Sequence, residues 1–439
     1  MPTFRADLKE GIFLYLESIR LINYACFKEI TVEFTSGFNV VAGVNGIGKT
    51  SLLEAIGEYL LFYRNMLLPT LNNVRVEMQI HENQYRFERQ YPVVMEVTAK
   101  LSLEGKLSCS IFKKLNDVQL STSEGDHVSR RNNETQLNEE MILPLLAFYR
   151  AGRNWTTSSG KRSDIQAIQH KVSRKDAYND WQNAAANVNA LTDWVLVKTM
   201  ERLQTFAETG LPPNDTDNAN DELSLINRAI AIAIEEAKGL RYDIKQKNVL
   251  MEWKPESGKP IALFDSLSDG QRAVAALVAD IARRACILNP QLGTDVLSKT
   301  PGVVLIDELD LHLHPQWQRH LPNGLKKAFP EMQFITTTHS PQVLSELAPN
   351  EILLLGEESA EHPEASYGLN SDRVLEDIMD TASRPQGIRD ELLNLFAAIE
   401  RGELDEAKRL AGELSSRVPY IPEIASARAL IKRKEIIGR

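Results

Sequence analysis

The octapeptide Gly43-Val44-Asn45-Gly46-Ile47-Gly48-Lys49-Thr50 limits what this chain can fold into more than any other stretch. It follows Phe38-Asn39-Val40-Val41-Ala42, an apolar run that predicts a buried strand. It leads into residues 50–63, where Leu52, Leu53, Ile56, Leu60 and Leu61 share one side of a predicted helix. Strand, glycine-rich turn and helix start, in that order, make a cradle for phosphate. Glycines let backbone N–H groups wrap an anion without Cβ clashes, and the helix points its positive end at the same charge. The spacing places Lys49 to reach the β- and γ-phosphates and Thr50 to ligate Mg²⁺. Gly43, Asn45, Gly46, Gly48, Lys49, Thr50 and Ser51 are therefore the candidate nucleotide-binding residues, with ATP and Mg²⁺ as the expected cofactors.

Two later strands carry matching chemistry. Gly302-Val303-Val304-Leu305-Ile306 reads as a strand buried on both faces, and it ends in Asp307-Glu308. Asp307 is placed to hold Mg²⁺. Glu308 is expected to point elsewhere, because successive strand side chains alternate, and to polarise the attacking water. Gln333-Phe334-Ile335-Thr336-Thr337-Thr338 then ends at His339, which can donate a hydrogen bond to a γ-phosphate and hold that water. Lys49, Glu308 and His339 are the candidate catalytic residues, and Thr50 and Asp307 the candidate metal ligands.

Around these motifs the pattern is α/β. Residues 13–34 alternate as two antiparallel strands broken at Asn23-Tyr24-Ala25, and residues 93–111 alternate as a hairpin turning at Glu104-Gly105-Lys106. Residues 113–140 are polar and predict a loop, and Leu143–Tyr149 predicts another buried strand. Trp181, Ala185, Val188, Leu191 and Val195 recur at helical spacing. Asn289–Thr300 predicts a surface insertion. Near the end, Leu392, Leu395, Phe396 and Ile399 form one helical stripe, Gly402 breaks it, and Leu404, Ala407 and Leu410 form another. The expected organisation is an N-terminal part of an ATPase head over 1–150, a helical insert over 151–255, the C-terminal part of the head over 256–365 and a helical tail over 366–439.

Leu267-Ser268-Asp269-Gly270-Gln271-Arg272 precedes a predicted helix. This hexapeptide resembles the signature motif of ABC-type ATPases, and the phosphate loop, signature, Asp-Glu strand and histidine follow that family's order. The resemblance implies an ABC-type head, with a mixed sheet, flanking helices and an antiparallel β lobe. It also implies a homodimer of heads in which Ser268, Asp269 and Gly270 reach the γ-phosphate bound by the other protomer. Asp269 departs from the glycine usual in transporters and resembles the soluble SMC and RecF-like branch. Residues 305–318 and 337–343 are similar to RecF/OLD-like ATPases. Residues 373–379 and 427–438 resemble the PtuA group, ATPases of Septu and retron-type anti-phage systems that work with an HNH-nuclease partner. The resemblance thus implies an ATPase subunit of a defence complex. A RecF-like repair ATPase acting directly on DNA and an ATP-binding scaffold with little turnover are the alternatives.

Composition narrows the partners. A net charge of −10 over 439 residues is unlike a nucleic-acid coat, so contact with nucleic acid needs a local patch such as Arg150, Arg153, Lys161-Arg162 and Arg174-Lys175. Arg153 follows a predicted strand end, close to where nucleotide would lie. No run approaches the roughly 18 apolar residues of a membrane span, and no signal peptide is evident, so a cytoplasmic protein is expected. Cys26, Cys109 and Cys286, far apart, read as buried small hydrophobes. His312 and His314 lack a nearby cysteine for zinc and read better as a contact at the dimer seam. The strand-poor stretch after His339 is too short for a Toprim domain and no HNH constellation is seen in the sequence, so no nuclease is expected in this chain.

Overall fold

The structure, a computed structural model, describes residues 13–67, 84–85, 88–101, 105–114, 117–122, 139–153, 172–186, 188–209 and 221–437. It divides into two compact units, Met1–Ser371 and Asp372–Arg439. Lys161-Arg162 lies outside the described residues.

The first unit opens with an antiparallel pair, β1 (Leu14–Tyr24) and β2 (Phe27–Glu33), then β3 (Phe38–Ala42), the phosphate loop and α1 (Lys49–Leu67). The hairpin β4 (Val93–Leu101) and β5 (Gly105–Lys114) follows as expected, but Leu101 pairs with Gly105 and Lys100 with Lys106, so Gly105 and Lys106 belong to β5 and not to the expected turn. Asp117–Thr122, expected to be loop, is instead an edge strand, β6, paired with β5. Only Val118 and Leu120 alternate there, too little to distinguish a polar edge strand from a loop. Next come β7 (Leu145–Tyr149), α2 (Val188–Thr209), α3 (Glu222–Ala233), the antiparallel β8 (Ala237–Asp243), β9 (Asn248–Trp253) and β10 (Ala262–Leu263), and α4 (Asp269–Leu288). The chain then runs through β11 (Gly302–Ile306), α5 (Pro315–Ala328), β12 (Met332–Thr337), β13 (Ile352–Leu355) and β14 (Ala360–Glu361).

The strands sort into an antiparallel sheet in the order β2-β1-β4-β5-β6, a small sheet β8-β9-β10, and a central sheet β14-β13-β3-β12-β11-β7. In the central sheet β13, β3, β12, β11 and β7 are parallel, and only β14 runs against its neighbour. Every residue of β3, β7, β11 and β12 is buried, as expected for a parallel sheet covered on both faces. Because these strands are parallel, the segments that follow all four emerge at one edge, where ligands of such sheets bind. α4 is buried almost all round from Ala273 to Leu288, which its many alanines allow.

Polar side chains tie the layers. Gln333 of β12, fully buried, accepts from the Leu16 amide (2.8 Å) and donates to the carbonyls of Leu16 (2.9 Å) and Thr35 (2.7 Å). Most of 290–299 is exposed, as a surface insertion should be, but the segment is anchored by buried Asn289, set between the Leu143 backbone and Thr300, and by buried Val296 and Leu297. The helical spacing from Trp181 to Val195 is also interrupted. Trp181–Ala186 is a 3₁₀ segment kinked at Asn183, and the α-helix starts only at Val188.

The second unit opens with a short π-helical segment (Val374–Ile378) and continues with three α-helices, α6 (Gln386–Arg401), α7 (Leu404–Arg417) and α8 (Pro422–Ile437). Leu392, Leu395, Ile399, Ala407, Leu414, Ala427 and Ile431 form their shared core, with Phe396 and Leu410 packed against it. Gly402, at φ +79°, ends α6 in the left-handed conformation glycine adopts freely.

Replacing Gln333 with Ala would leave the Leu16 amide and carbonyl buried without partners, at about 1–3 kcal/mol for each such group. The expected result is a clear fall in the denaturant midpoint of the head, followed by circular dichroism.

Candidate nucleotide site

Gly46 and Gly48 take φ of +82° and +107°, which L side chains rarely adopt. A Cβ on Gly48 would also overlap Cys26 Sγ and lie 2.5 Å from Phe27 Cζ. The turn between β1 and β2 thus presses on the phosphate loop. Cys26 Sγ lies 3.6 Å from the Ile47 carbonyl, and the residue is exposed, which corrects its expected burial. Cys286 is buried as expected, and burial pushes its thiol up to about 12. The Cys109 side chain lies outside the described features.

Lys49 is buried, and its Nζ donates to the carbonyls of Gly43 (2.8 Å) and Val44 (3.0 Å). Burial lowers its pKa, opposed by Asp307, Glu308 and Asp310, so cation and carboxylates share one basin. Thr50 Oγ1 donates to Asp307 Oδ2 at 3.0 Å. A hydroxyl beside a carboxylate is the hard-oxygen pair Mg²⁺ takes, and the loop amides with Lys49 suit a triphosphate. The residues present therefore fit Mg²⁺ and ATP.

β11 ends at Ile306, and the Asp307 amide donates to the Tyr149 carbonyl on β7 (2.8 Å). Thr337, at the end of β12, connects the two acids. Its hydroxyl donates to Asp307 Oδ1 (2.7 Å) and accepts the Glu308 amide (2.7 Å). Glu308 lies past the strand at φ +52°, so a left-handed turn, and not strand alternation, separates it from Asp307. For a non-glycine residue this conformation costs of order 1–3 kcal/mol and persists only where the surroundings fix it. Arg153 supplies part of that fixing: its guanidinium donates to the carbonyls of Asp307 (2.5 Å) and Glu308 (2.6 Å). Burial lowers the Arg153 pKa, offset by Asp307, Glu308 and Asp310.

His339 is half-buried, and its amide donates to Asp310 Oδ1 (3.2 Å), which also accepts from Thr338 Oγ1 (2.5 Å). Ser268 and Asp269 are exposed at the start of α4, where Ser268 and Gln271 form a reciprocal capping box. Gly270 is buried, and a Cβ there would lie 2.5 Å from the His312 carbonyl. His312 is exposed at φ +62°, and exposed His314 caps α5 by accepting the Gln316 amide (3.3 Å).

Lys49, Thr50, Asp307, Glu308 and His339 thus gather at the carboxyl edge of the central sheet, whereas Ser268 and Asp269 lie on the surface at the head of α4. Thr337 and Asp310 join this site without belonging to any of the motifs that point to it. The signal for Thr337 was a threonine run closing an otherwise apolar buried strand. Asp310 carried no signal, since its partners come from another strand.

Gly48→Ala is expected to weaken ATP binding by more than about a hundredfold, since strain and overlap act together; binding of a fluorescent ATP analogue reads this directly. Thr337→Val keeps the shape but loses both hydrogen bonds. Its expected signature is ATP affinity nearly unchanged with turnover down by roughly tenfold or more, a loss of about 1.4 kcal/mol or more in the transition state.

Comparison with known proteins matches residues 153–345 to a family described as "AAA domain, putative AbiEii toxin, Type IV TA system" and residues 18–248 to an "AAA domain" family. The chain is 28% identical to the retron Vc95 probable ATPase of Vibrio cholerae serotype O1 biovar El Tor, covering 89% of this chain and 84% of that one. It is 26% identical to the retron Ec83 probable ATPase of Escherichia coli, covering 92% and 84%, and 22% identical to the Septu protein PtuA of Bacillus thuringiensis, covering 83% and 84%. An SMC head solved with the C-terminal winged-helix domain of ScpA superposes with a TM-score of 0.44 at 13% identity, over 81% of this chain and 98% of that one, too loosely to add to the fold described above. With the phosphate loop, the Asp-Glu turn and the histidine at one sheet edge, and the AAA-domain match extending over more than half its length, the chain belongs to the AAA-domain family of P-loop ATPases.

Proposed function

We propose that this chain is the ATPase subunit of an anti-phage defence complex, binding and hydrolysing ATP·Mg²⁺ between two copies of the head and using that cycle to control a partner effector, an HNH-type nuclease. The observation that carries the reading is the division of the site. Lys49 and Asp307 are buried at one sheet edge, with Asn45, Gly46 and Thr50 open to solvent beside them, while Ser268 and Asp269 stand exposed on a separate surface at the head of a buried helix. A capped helix start is an anion site on the surface, suited to the nucleotide of a second copy. The defence role follows from the retron and Septu relatives.

Within the site each residue has one task. The amides of Gly43–Thr50 and the Lys49 ammonium hold the phosphates. Thr50 and Asp307 hold Mg²⁺, which when bound neutralises charge on the β- and γ-phosphates. Glu308 accepts a hydrogen bond from the attacking water and orients it in line with the γ-phosphate, and His339 donates to the γ-phosphate oxygens. Ser268 of the facing copy closes the site and excludes bulk solvent. The helical tail, residues 386–439, is the part proposed to serve assembly or partner docking. Among the described residues no helix is long and apolar enough to cross a membrane.

Glu308→Gln is expected to retain ATP·Mg²⁺ binding, lower turnover by roughly a hundredfold or more, and accumulate a closed dimer by native mass spectrometry. Turnover unchanged in this variant would sink the hydrolysis mechanism. Lys49→Ala and Ser268→Arg variants should each be inactive alone, yet regain part of the activity when mixed, because one composite site of the mixed dimer is intact. Failure of mixing to restore any turnover would count against sites shared between copies. Deleting residues 386–439 should leave ATP binding intact and abolish copurification of the nuclease, whose absence from the intact complex would remove the defence reading.

A further inference from the structure

Arg153 sits on an unusually well-anchored turn. Tyr149 ends β7 with its phenol buried and donating to Asp280 of α4 (2.9 Å), and Asp280 also accepts from Arg284 (2.7 Å) and Arg283 (2.5 Å). Arg150 pairs with Glu54 of α1 (3.0 Å) and donates to the Gln182 carbonyl (3.1 Å). The Arg153 amide closes the turn onto the Arg150 carbonyl (3.1 Å). The segment 149–153 is therefore fixed at once to the helix behind the phosphate loop and to the helix that carries Ser268.

From this mount the Arg153 fork reaches two successive carbonyls, Asp307 and Glu308, with a longer contact back to the Arg150 carbonyl (3.4 Å); its hydrogen bonds go to backbone carbonyls. Both polar ends of the Glu308 backbone are thereby held: its amide by Thr337 Oγ1 and its carbonyl by Arg153 and the Leu311 amide. An L residue at φ +52° stays there only under such restraint. A planar guanidinium with two parallel donors fixes the direction of two peptide units, which a single-point ammonium cannot do.

We infer that Arg153 is a positioning residue for hydrolysis: it holds the Asp307–Glu308 turn so that the Glu308 carboxylate faces the attacking water, and it acts through Glu308 and not through the nucleotide. The inference rests on the proposed role of Glu308 in turnover. It makes Arg153 a determinant of kcat, with little effect on ATP affinity. The anchoring of 149–153 also connects Glu308 to α4, the helix that serves the facing copy.

The test is a set of steady-state and binding measurements on the full-length wild type, Arg153→Gln, Arg153→Lys, Glu308→Gln and the Arg153→Gln/Glu308→Gln double variant, all with ATP·Mg²⁺. Arg153→Gln should lower kcat by about a hundredfold with Kd for a fluorescent ATP analogue within about twofold of wild type. Arg153→Lys, which can serve one carbonyl, should fall between. The double variant should turn over no more slowly than Glu308→Gln alone, because residues acting as a unit are not additive. An ATP affinity that falls in step with kcat, or losses that multiply in the double variant, overturns the inference. Should Arg153→Gln fail to fold, the same comparison made with Arg153→Lys decides it. A wild type that binds ATP·Mg²⁺ without turning it over overturns the proposed function and this inference with it, whereas wild-type turnover with an unaffected Arg153→Gln overturns the inference alone.

Discussion

Parallel pairing of four buried strands is the constraint on which everything else in this head depends. β7, β11, β12 and β3 lie side by side with every residue buried, and parallel register sends all four chain exits to the same edge. Arg153, Asp307, His339 and the phosphate loop come from positions far apart in sequence, yet each follows one of these strands. A single antiparallel reversal among the four would have sent one component to the opposite face. The strength of the sheet is non-directional apolar burial; its consequence for function is directional.

On that edge, a few hydrogen bonds turn proximity into a defined geometry. Thr337 takes the central position, donating to the Asp307 carboxylate while accepting the Glu308 amide. One hydroxyl thus sets Asp307 and Glu308, the residues proposed to hold the metal and orient the water, relative to each other. Asp310 does the corresponding work for Thr338 and the His339 amide. The loop between Glu308 and His314 then carries the His312 carbonyl against Gly270, a position where a side chain would not fit. The Asp307–Asp310 turn and the exposed signature are thereby parts of one packed assembly, and a shift in α4 would be felt at the Asp-Glu turn through both Gly270 and Asp280.

Elsewhere the sequence was misleading where local pattern competed with tertiary packing. The spacing of Trp181, Ala185, Val188 and Val195 is that of one helix, but the chain kinks at Asn183 and only Val188 onward is α-helical. Asn289–Thr300 is largely polar surface as its composition suggests, yet its first residue, Asn289, is buried because its side-chain amide satisfies the Leu143 backbone. Asp117–Thr122 has too few apolar residues to declare itself and forms a strand because β5 offers an open edge.

The sequence by itself determined the phosphate loop, the carboxylate pair, the histidine, the capped signature helix and the tail stripes. Each of these is local: a glycine that needs positive φ, an apolar run of strand length, a serine before a helix, a 3.6-residue period. It did not determine why Glu308 points where it does, nor the tasks of Thr337, Asp310 and Arg153, nor the pressure of Cys26 on Gly48. Those depend on groups brought together from different strands, and their energetics come from burial and from hydrogen bonds whose partners lie, in the case of Arg153, 154 and 155 positions away. A one-dimensional pattern carries the types of residue a site needs; only the packed sheet decides which of them meet.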